Sequence, residues 1–399
     1  MNTPFQAVQI SEHVHWVGAI DWTVRDFHGY LTNRGSTYNA YLILADKITL
    51  VDTVKAPFQE ELLSRIASVV DPGKIDYIVS NHSEMDHTGC LPQVIQAVKP
   101  EKVFASAIGA RTLKDHFHLD REIAAVKDGD SLQLGDLNLT FLETRMLHWP
   151  DSMMSYLAED ELLFSQDGFG MHLASGERFA DQIEDWILDH EAAKYYANIL
   201  LPYSPLITKL LKRVGELGLA IKFIAPDHGP IWRGDSHRIV DRYARWAEQK
   251  PTSKAVLVYD TMWNSTDHMA RAVGDGIVSA GGTVKLMPLH SAHRSDVATE
   301  ILDAGALLVG SPTINNGIFP TVADALSYLK GLKPRNLLGA AFGSFGWSGE
   351  AVGLIREALD QMKTEPVGED VRVKYVPDRK ALARCHALGV SVAEKLKAV

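Results

Sequence analysis

Hydrophobic and polar positions along this chain follow two regimes, and the change falls near residue 251. Before it, short strand patterns mix with helical ones. "NAYLILADKITLVDT" predicts two strands joined by a turn at Ala45 and Asp46. "FQEELLSRIASVV" has helical periodicity, and "IDYIVSNH" behind it reads as a buried strand. Strand-rich runs follow at "SLQLGDLNLTFLET" and "MSYLAEDELLFSQD". Helical spacing then dominates from "DWILDHEAAKYYANIL" to "RIVDRYARWAEQK", interrupted by one strand-like run, "IKFIAPDH".

The polar segment "EQKPTSK", with its helix-stopping Pro251, closes this region. From there strands and helices alternate. "AVLVYD" is a continuous apolar strand, and the helix after it should bury Met269, Ala270, Val273, Ile277 and Val278 on one face. Strands "TVKLMPL", "ALLVGSP", "LLGAAFGSF" and "VRVKYV" follow. Helices around "ATEILDA", "VADALSYLKGL" and "AVGLIREALDQM" separate them, and a long helix ends the chain. Five strands alternating with five helices predict a doubly wound parallel sheet. The expected organisation is two α/β domains, 1–250 and 251–399, without internal repeats.

Composition narrows the class. A length of 399 residues exceeds one ordinary core, in keeping with two domains. With 46% hydrophobic and 23% charged residues the chain reads as soluble and globular. No run approaches the ~20 apolar residues of a membrane span. A formal net charge of −10 argues against a nucleic-acid partner. Cys90 and Cys385 cannot build a disulfide framework, and "MNTPFQAVQI" lacks the features of a signal peptide. The expected location is the cytoplasm.

Chemistry concentrates first in "SNHSEMDHTG", behind the strand "IDYIVS". Side chains two apart on an extended segment share a face, so His82, Glu84 and Asp86 can converge if the chain stays extended. His87 joins them if the chain turns into a helix. A polar loop capped by Asp86 is the bland alternative, but four ligand-type residues in six positions exceed what a loop needs. Downstream, His148 follows a strand and precedes Pro150, Asp167 ends "ELLFSQD", and His228 ends "IKFIAPDH". Each stands at a strand-to-loop exit, where α/β scaffolds mount their chemistry.

The second domain offers a different site. "YDTMWNSTDHMA" connects the first strand of the alternation to its first helix. Its residues Thr261, Met262, Trp263, Asn264, Ser265 and Thr266 bring three hydroxyls to a helix N-terminus, a phosphate site by hydroxyls and dipole. Neither a G-x-x-x-x-G-K-[ST] nor a G-x-G-x-x-G pattern is present there, so a mononucleotide such as FMN fits best. Two further loops lie at the ends of the third and fourth strands. One carries Pro312, Thr313, Ile314, Asn315, Asn316 and Gly317, the other Ser344, Phe345, Gly346, Trp347, Ser348 and Gly349. In a flavodoxin-like sheet such loops border the ligand crevice, and Trp347 can flank a flavin ring.

The series of His and carboxylate positions resembles the metallo-β-lactamase-like fold, an αββα sandwich with a H-x-H-x-D-H motif, a later His, a bridging Asp and a final His. The chain departs from those hydrolases at Glu84, where they carry His. A carboxylate there shifts the preference from zinc towards iron or manganese. With the flavin loops added, the whole chain resembles the flavodiiron proteins, also called A-type flavoproteins, above all their two-domain members of the rubredoxin:oxygen oxidoreductase type. "AIDWTVRDFHGY", "ETRMLHWPDSM", "PDHGPIWRG", "GSPTINNGI" and "AFGSFGWSGE" carry the resemblance.

That resemblance implies two non-heme irons. His82, Glu84, His148 and Asp167 would hold one, and Asp86, His87, Asp167 and His228 the other, with Asp167 bridging. His28, in "RDFHGY", matches a histidine that lies beside the metals without binding them. The implied activity is reduction of oxygen to water by four electrons, of nitric oxide to nitrous oxide by two, or both. The implied assembly is a head-to-tail homodimer or a dimer of dimers. With two cysteines the chain has no rubredoxin site of its own, so electrons are expected from a separate rubredoxin or a reduced deazaflavin. Two other readings stand beside this one: a zinc hydrolase with a flavodoxin-like appendage, and a non-enzymatic electron carrier with a structural metal. Glu84 and the complete loop set oppose the first; seven ligands, where structural sites close with four, oppose the second.

Overall fold

A computed structural model describes residues 4–398. The chain forms two compact units. Residues up to Phe27, with Thr32–Tyr195 and Pro205–Ala244, make the first; His28–Leu31, Tyr196–Ser204 and the chain from Arg245 onwards make the second.

The first unit contains two facing sheets. One has seven strands in the order Val8–Gln9, Val14–Trp16, Tyr41–Ile43, Thr49–Val51, Tyr77–Ser80, Lys102–Ser106, Ala124–Val126. The other has six, in chain order: Ser131–Gln133, Asn138–Glu143, Met153–Leu157, Leu162–Gln166, Phe223–Pro226, Trp232–Arg233. Period-two alternation decides what each face meets. Tyr41 and Ile43 point between the sheets and join Phe141, Leu157 and Phe164 in one buried cluster. Leu42, between them in sequence, points the other way, into a second cluster with Leu62, Ile66, Leu91 and Val94 from the covering helices. On the far side of the six-stranded sheet, Leu163 lies opposite Ile224, and both line an apolar cavity with Leu211, Val214 and Val240. The layers are therefore helix, sheet, sheet, helix.

The second unit is a parallel sheet in the order Thr283–Pro288, Lys254–Tyr259, Ala306–Gly310, Leu338–Phe345, with Val371–Lys374 pairing beside the last. The five strands fall where the apolar runs place them. A two-residue strand, Glu365–Pro366, adds a sixth alongside Leu338 and Gly339. Strand order reverses between the first and third strands, which opens a crevice at their carboxyl ends. The helix Ser265–Ser279 buries Met269, Ala270, Val273 and Ile277 completely, but Val278 is 56% exposed. The expected apolar face was one position too wide: at 100° per residue, Val278 has turned past the edge of the stripe that Ile277 completes.

Candidate metal centre and cofactor cavity

The metal-type residues of the first unit meet at the carboxyl ends of its strands. His82 follows the strand Tyr77–Ser80, and Glu84 is still extended (φ −61°, ψ 147°). The chain then turns into the one-turn helix Met85–Thr88, which carries Asp86 and His87. The extended path expected through Asp86 is therefore not taken. That change of backbone splits the cluster: His82 and Glu84 gather with His148 and Asp167, whereas Asp86 and His87 gather with His228. Asp167 emerges just after Gln166, which has a positive φ of 46°. The Gln166 side-chain amide donates to the Leu147 carbonyl, tying this strand end to the loop that bears His148.

Asp167 serves both groups with different oxygens. Its Oδ2 lies 3.4 Å from His82 Nε2 and 3.1 Å from His148 Nε2. Its Oδ1 lies 3.3 Å from His87 Nε2 and 3.4 Å from His228 Nε2. Glu84 Oε2 completes one group at 3.3 Å from His82 and 3.2 Å from His148. Asp86 completes the other at 3.3 Å from His87 and 3.1 Å from His228.

These separations are long for charged hydrogen bonds, which are about 2.7–2.9 Å. They match the spacing of neighbouring atoms on one ion. Donors bound at ~2.1 Å stand about 3.0–3.4 Å apart for octahedral to tetrahedral angles. Both oxygens of Asp86 and Asp167, and both ring nitrogens of His87, are buried without a conventional hydrogen bond. Buried polar atoms without protein partners, converging from both groups, fit a pair of cations.

The surrounding groups orient the donors. His228 Nδ1 lies 2.6 Å from the Thr37 carbonyl, so it carries the proton and leaves the Nε2 lone pair facing Asp86 and Asp167. His82 Nδ1 meets Asp151 Oδ2 at 3.3 Å, and Asp151 is held by the Ser83 amide and hydroxyl at 2.7 and 2.6 Å. His87 Nδ1 faces Asp227 Oδ2 at 3.5 Å. Burial alone would push Glu84 up, but His148 and His82 outweigh it and hold its pKa at about 2. Burial likewise opposes ionisation of Asp86, and His87 and His228 outweigh it, again to about 2. The carboxylates are thus anionic donors at neutral pH.

Two groups at this centre escape the sequence reading. His172 is fully buried, its ring 4.6 Å from that of His228 and its Nδ1 2.8 Å from Ser36 Oγ. Burial, and then the neighbouring His228, push its pKa well below the usual imidazole range, so the ring is neutral. Tyr195 is 1% exposed; burial first and the Asp167 carboxylate second raise its pKa well above the ordinary phenol value. The expected neighbour His28 is exposed and lies in the segment that groups with the second unit. Phe27, just before it, stacks within the first unit, 4.7 Å from the His172 ring and 6.2 Å from that of His228.

In the second unit a cavity of about 750 Å³ opens at the strand ends. Of the expected flavin residues, Met262, Trp263 and Ser265 line it, as do Pro312, Thr313, Ile314, Asn315 and Asn316. Ser344, Phe345, Gly346, Trp347 and Ser348 form its other wall. Thr261, Asn264, Thr266, Gly317 and Gly349 are not in its lining. Thr266 is buried with its hydroxyl 3.1 Å from Ser344 Oγ, joining two of the loops from behind. Thr261 Oγ1 is buried without a partner, and Asn264 takes a left-handed φ of 63° directly before the helix Ser265–Ser279. Volume, hydroxyls and helix N-terminus suit a phosphorylated, planar cofactor. Tyr375 and Val376 also line the cavity. They follow the fifth strand, and the crevice rule that located the other loops applies equally there.

Comparison with known proteins agrees with this division. Residues 37–229 match the family model described as ODP family beta lactamase, and residues 257–388 match Flavodoxin. The chain is 49% identical to a nitric oxide reductase of Moorella thermoacetica, covering 98% of this chain and 99% of that one. It superposes with a TM-score of 0.97 on the rubredoxin oxygen:oxidoreductase of Desulfovibrio gigas, at 49% identity, covering 98% and 99% of the two chains. The flavodiiron protein of Giardia intestinalis matches with a TM-score of 0.94 at 36% identity, covering 98% and 97%.

Proposed function

The chain belongs to the flavodiiron proteins, and on that premise we propose that it reduces oxygen to water, nitric oxide to nitrous oxide, or both, as a scavenging enzyme. The observation that carries this reading is Asp167, whose two oxygens each face a separate three-residue group. His82, Glu84, His148 and Asp167 would hold one iron; Asp86, His87, Asp167 and His228 would hold the other. FMN would occupy the cavity beside Trp347. Bound together, two ferrous ions and a reduced flavin supply four electrons, the number that reduction of oxygen to water requires.

The protein's own groups then have defined tasks. Asp167 would offer one oxygen to each position. His228, with its proton committed to Thr37 O, presents only Nε2 inward. Tyr195 keeps its hydroxyl proton beside Asp167, because burial and that carboxylate disfavour the phenolate. His172 stays neutral, so it adds no positive charge next to His228. His28, exposed here, is proposed from its match to the family as a histidine that lies beside the metals without binding them. Trp347 and Trp263 offer aromatic faces for the flavin ring.

A head-to-tail homodimer, with the flavin of one subunit serving the metals of its partner, is part of this proposal. So is an external electron donor, for which the name of the Desulfovibrio gigas protein supports rubredoxin. A cytoplasmic location is supported by two free, buried cysteines. Among the described residues no helix is long and apolar enough to cross a membrane. Glu84 favours an iron-type site over a zinc hydrolase. The test is steady-state consumption of each gas with reduced rubredoxin, for wild type and for His228→Ala. Gas consumption should fall at least about a hundredfold in the variant while the flavin is still reduced, since one metal position loses a ligand. Undiminished consumption by His228→Ala would place the chemistry on the flavin.

A further inference from the structure

The two groups of candidate metal ligands are not held alike. In three of their four histidines the ring nitrogen turned away from the group meets an anchor. His82 Nδ1 has Asp151 at 3.3 Å, His87 Nδ1 has Asp227 at 3.5 Å, and His228 Nδ1 has the Thr37 carbonyl at 2.6 Å. His148 has no such partner at Nδ1 among the described residues; its printed ion pairs, to Glu84 and Asp167, both run through Nε2. The side chains of His148 and Glu84 are 18% and 13% exposed, against 4%, 0% and 2% for Asp86, His87 and His228.

Ring packing follows the same division. The His228 ring is enclosed by those of His172, His87, Tyr38, Tyr195 and Phe27, with centroids 4.6 to 6.2 Å away. Among the described residues the His148 ring has two neighbours, His82 at 5.3 Å and Trp149 at 6.2 Å. Trp149 also stands edge-on to His82, at 5.2 Å and 86°. Ring pairs at such separations attract edge to face and fix each other's planes. Trp149 is itself tied down. Its carbonyl accepts from the Met146 amide at 2.7 Å, and its amide donates to Ser152 Oγ at 3.2 Å. The His116 ring, from the helix Ala107–Phe117, backs it at 6.2 Å. An indole fixed in this way takes the place of the anchor that His148 lacks.

We propose that the two metal positions are unequal in grip: the one built by His82, Glu84 and His148 releases its iron first, and Trp149 is the positioning residue that retains it. The proposal rests on the diiron reading above and adds an order of loading and loss. The position of Asp86, His87 and His228, enclosed and anchored, fills first and empties last. Asp167 stays on that second position through Oδ1 when the partner of its Oδ2 has left. Groups that hold the orientation of a metal-binding ring change affinity by about 10–100-fold, and Trp149 is such a group for two rings at once.

The test uses the full-length protein loaded with FMN and iron, reduced without air and mixed with the ferrous chelator ferrozine. Wild type should release its iron in two phases of equal amplitude. Trp149→Ala should speed the first phase about tenfold and leave the second unchanged. Trp149→Phe, which keeps an aromatic edge beside both histidines, should hold the wild-type rates. Trp149→Ala stopped between the phases and reoxidised should show the EPR signal of isolated high-spin ferric iron, which a coupled ferric pair does not give. Its flavin content should equal that of wild type. His148→Asn, which alters the same position from within, should keep only the slowly released iron. Release of both irons from wild type in a single phase overturns the proposal. So does a fast phase that survives in His148→Asn, or equal acceleration of both phases in Trp149→Ala, the mark of a general loss of structure. Wild-type protein that holds no iron at all would sink the diiron reading and this proposal with it.

Discussion

Asp167 and Glu84 carry the same functional group into different tasks. Asp167 divides its oxygens between two groups, whereas Glu84 belongs to one, beside His82 and His148. Glu84 is also the one ligand position at which the chain departs from zinc hydrolases of similar fold. Replacing it with His removes one negative charge and a hard oxygen donor. Glu84→His should retain less iron and take a larger zinc share when both metals are supplied, and gas turnover should fall. Flavin content should stay the same, because the flavin cavity is built wholly from the second unit. Metal analysis beside wild type checks this; two irons and normal turnover in the variant would remove Glu84 as the selecting ligand. The seven residues that gather here were conspicuous in the sequence because they stand just behind strand ends or in the short turn after one, where periodicity breaks and a His or carboxylate stands out. His172 and Tyr195 were not. His172 follows an irregular stretch, "GFGM", and Tyr195 ends the helix Asp185–Tyr195 between Lys194 and Tyr196 with nothing in the local pattern to mark it, so only folding brings them to Asp167 and His228.

At the scale of elements, the helix Met85–Thr88 decides how the cluster divides into two groups. It turns Asp86 and His87 away from the direction of His82 and Glu84, and its end is packed without slack. A Cβ on Gly89 would stand 2.4 Å from the Met85 carbonyl and 2.7 Å from the Ala56 amide nitrogen. Both are backbone atoms that cannot swing aside. Gly89→Ala should therefore shift the helix, destabilise the first unit by about 1–3 kcal/mol and lower metal content. A melting temperature and iron content equal to wild type would show that the turn tolerates displacement. The alternation of the second unit was legible because parallel strands buried on both faces read as continuous apolar runs. The first forty residues were not: their strands span two or three residues each, too short for a period-two pattern to register. The path at Asp86 stayed open in the sequence for a related reason, since a four-residue helix has no periodicity to read.

At the scale of the whole molecule, one unit gathers two groups of candidate metal ligands and the other opens a cavity at its strand ends, each on its own hydrophobic core. In the proposed head-to-tail dimer the two centres work across subunits. Mixing His228→Ala with Ser265→Glu, whose added carboxylate would repel the cofactor phosphate, should restore about a quarter of wild-type gas turnover after subunit exchange. That figure follows from half of the dimers being mixed, each with one complete pair of centres. No recovery despite demonstrated exchange would confine electron transfer to a single chain. The central claim is that one chain holds a flavin and two redox-active irons. Anaerobic reductive titration of the purified protein, with its iron and FMN counted, tests this most directly. The account predicts about two irons and one FMN per chain and an uptake of about four electrons, all of which are returned when oxygen is admitted. Uptake limited to the flavin's two electrons, with zinc in the metal positions, would contradict it.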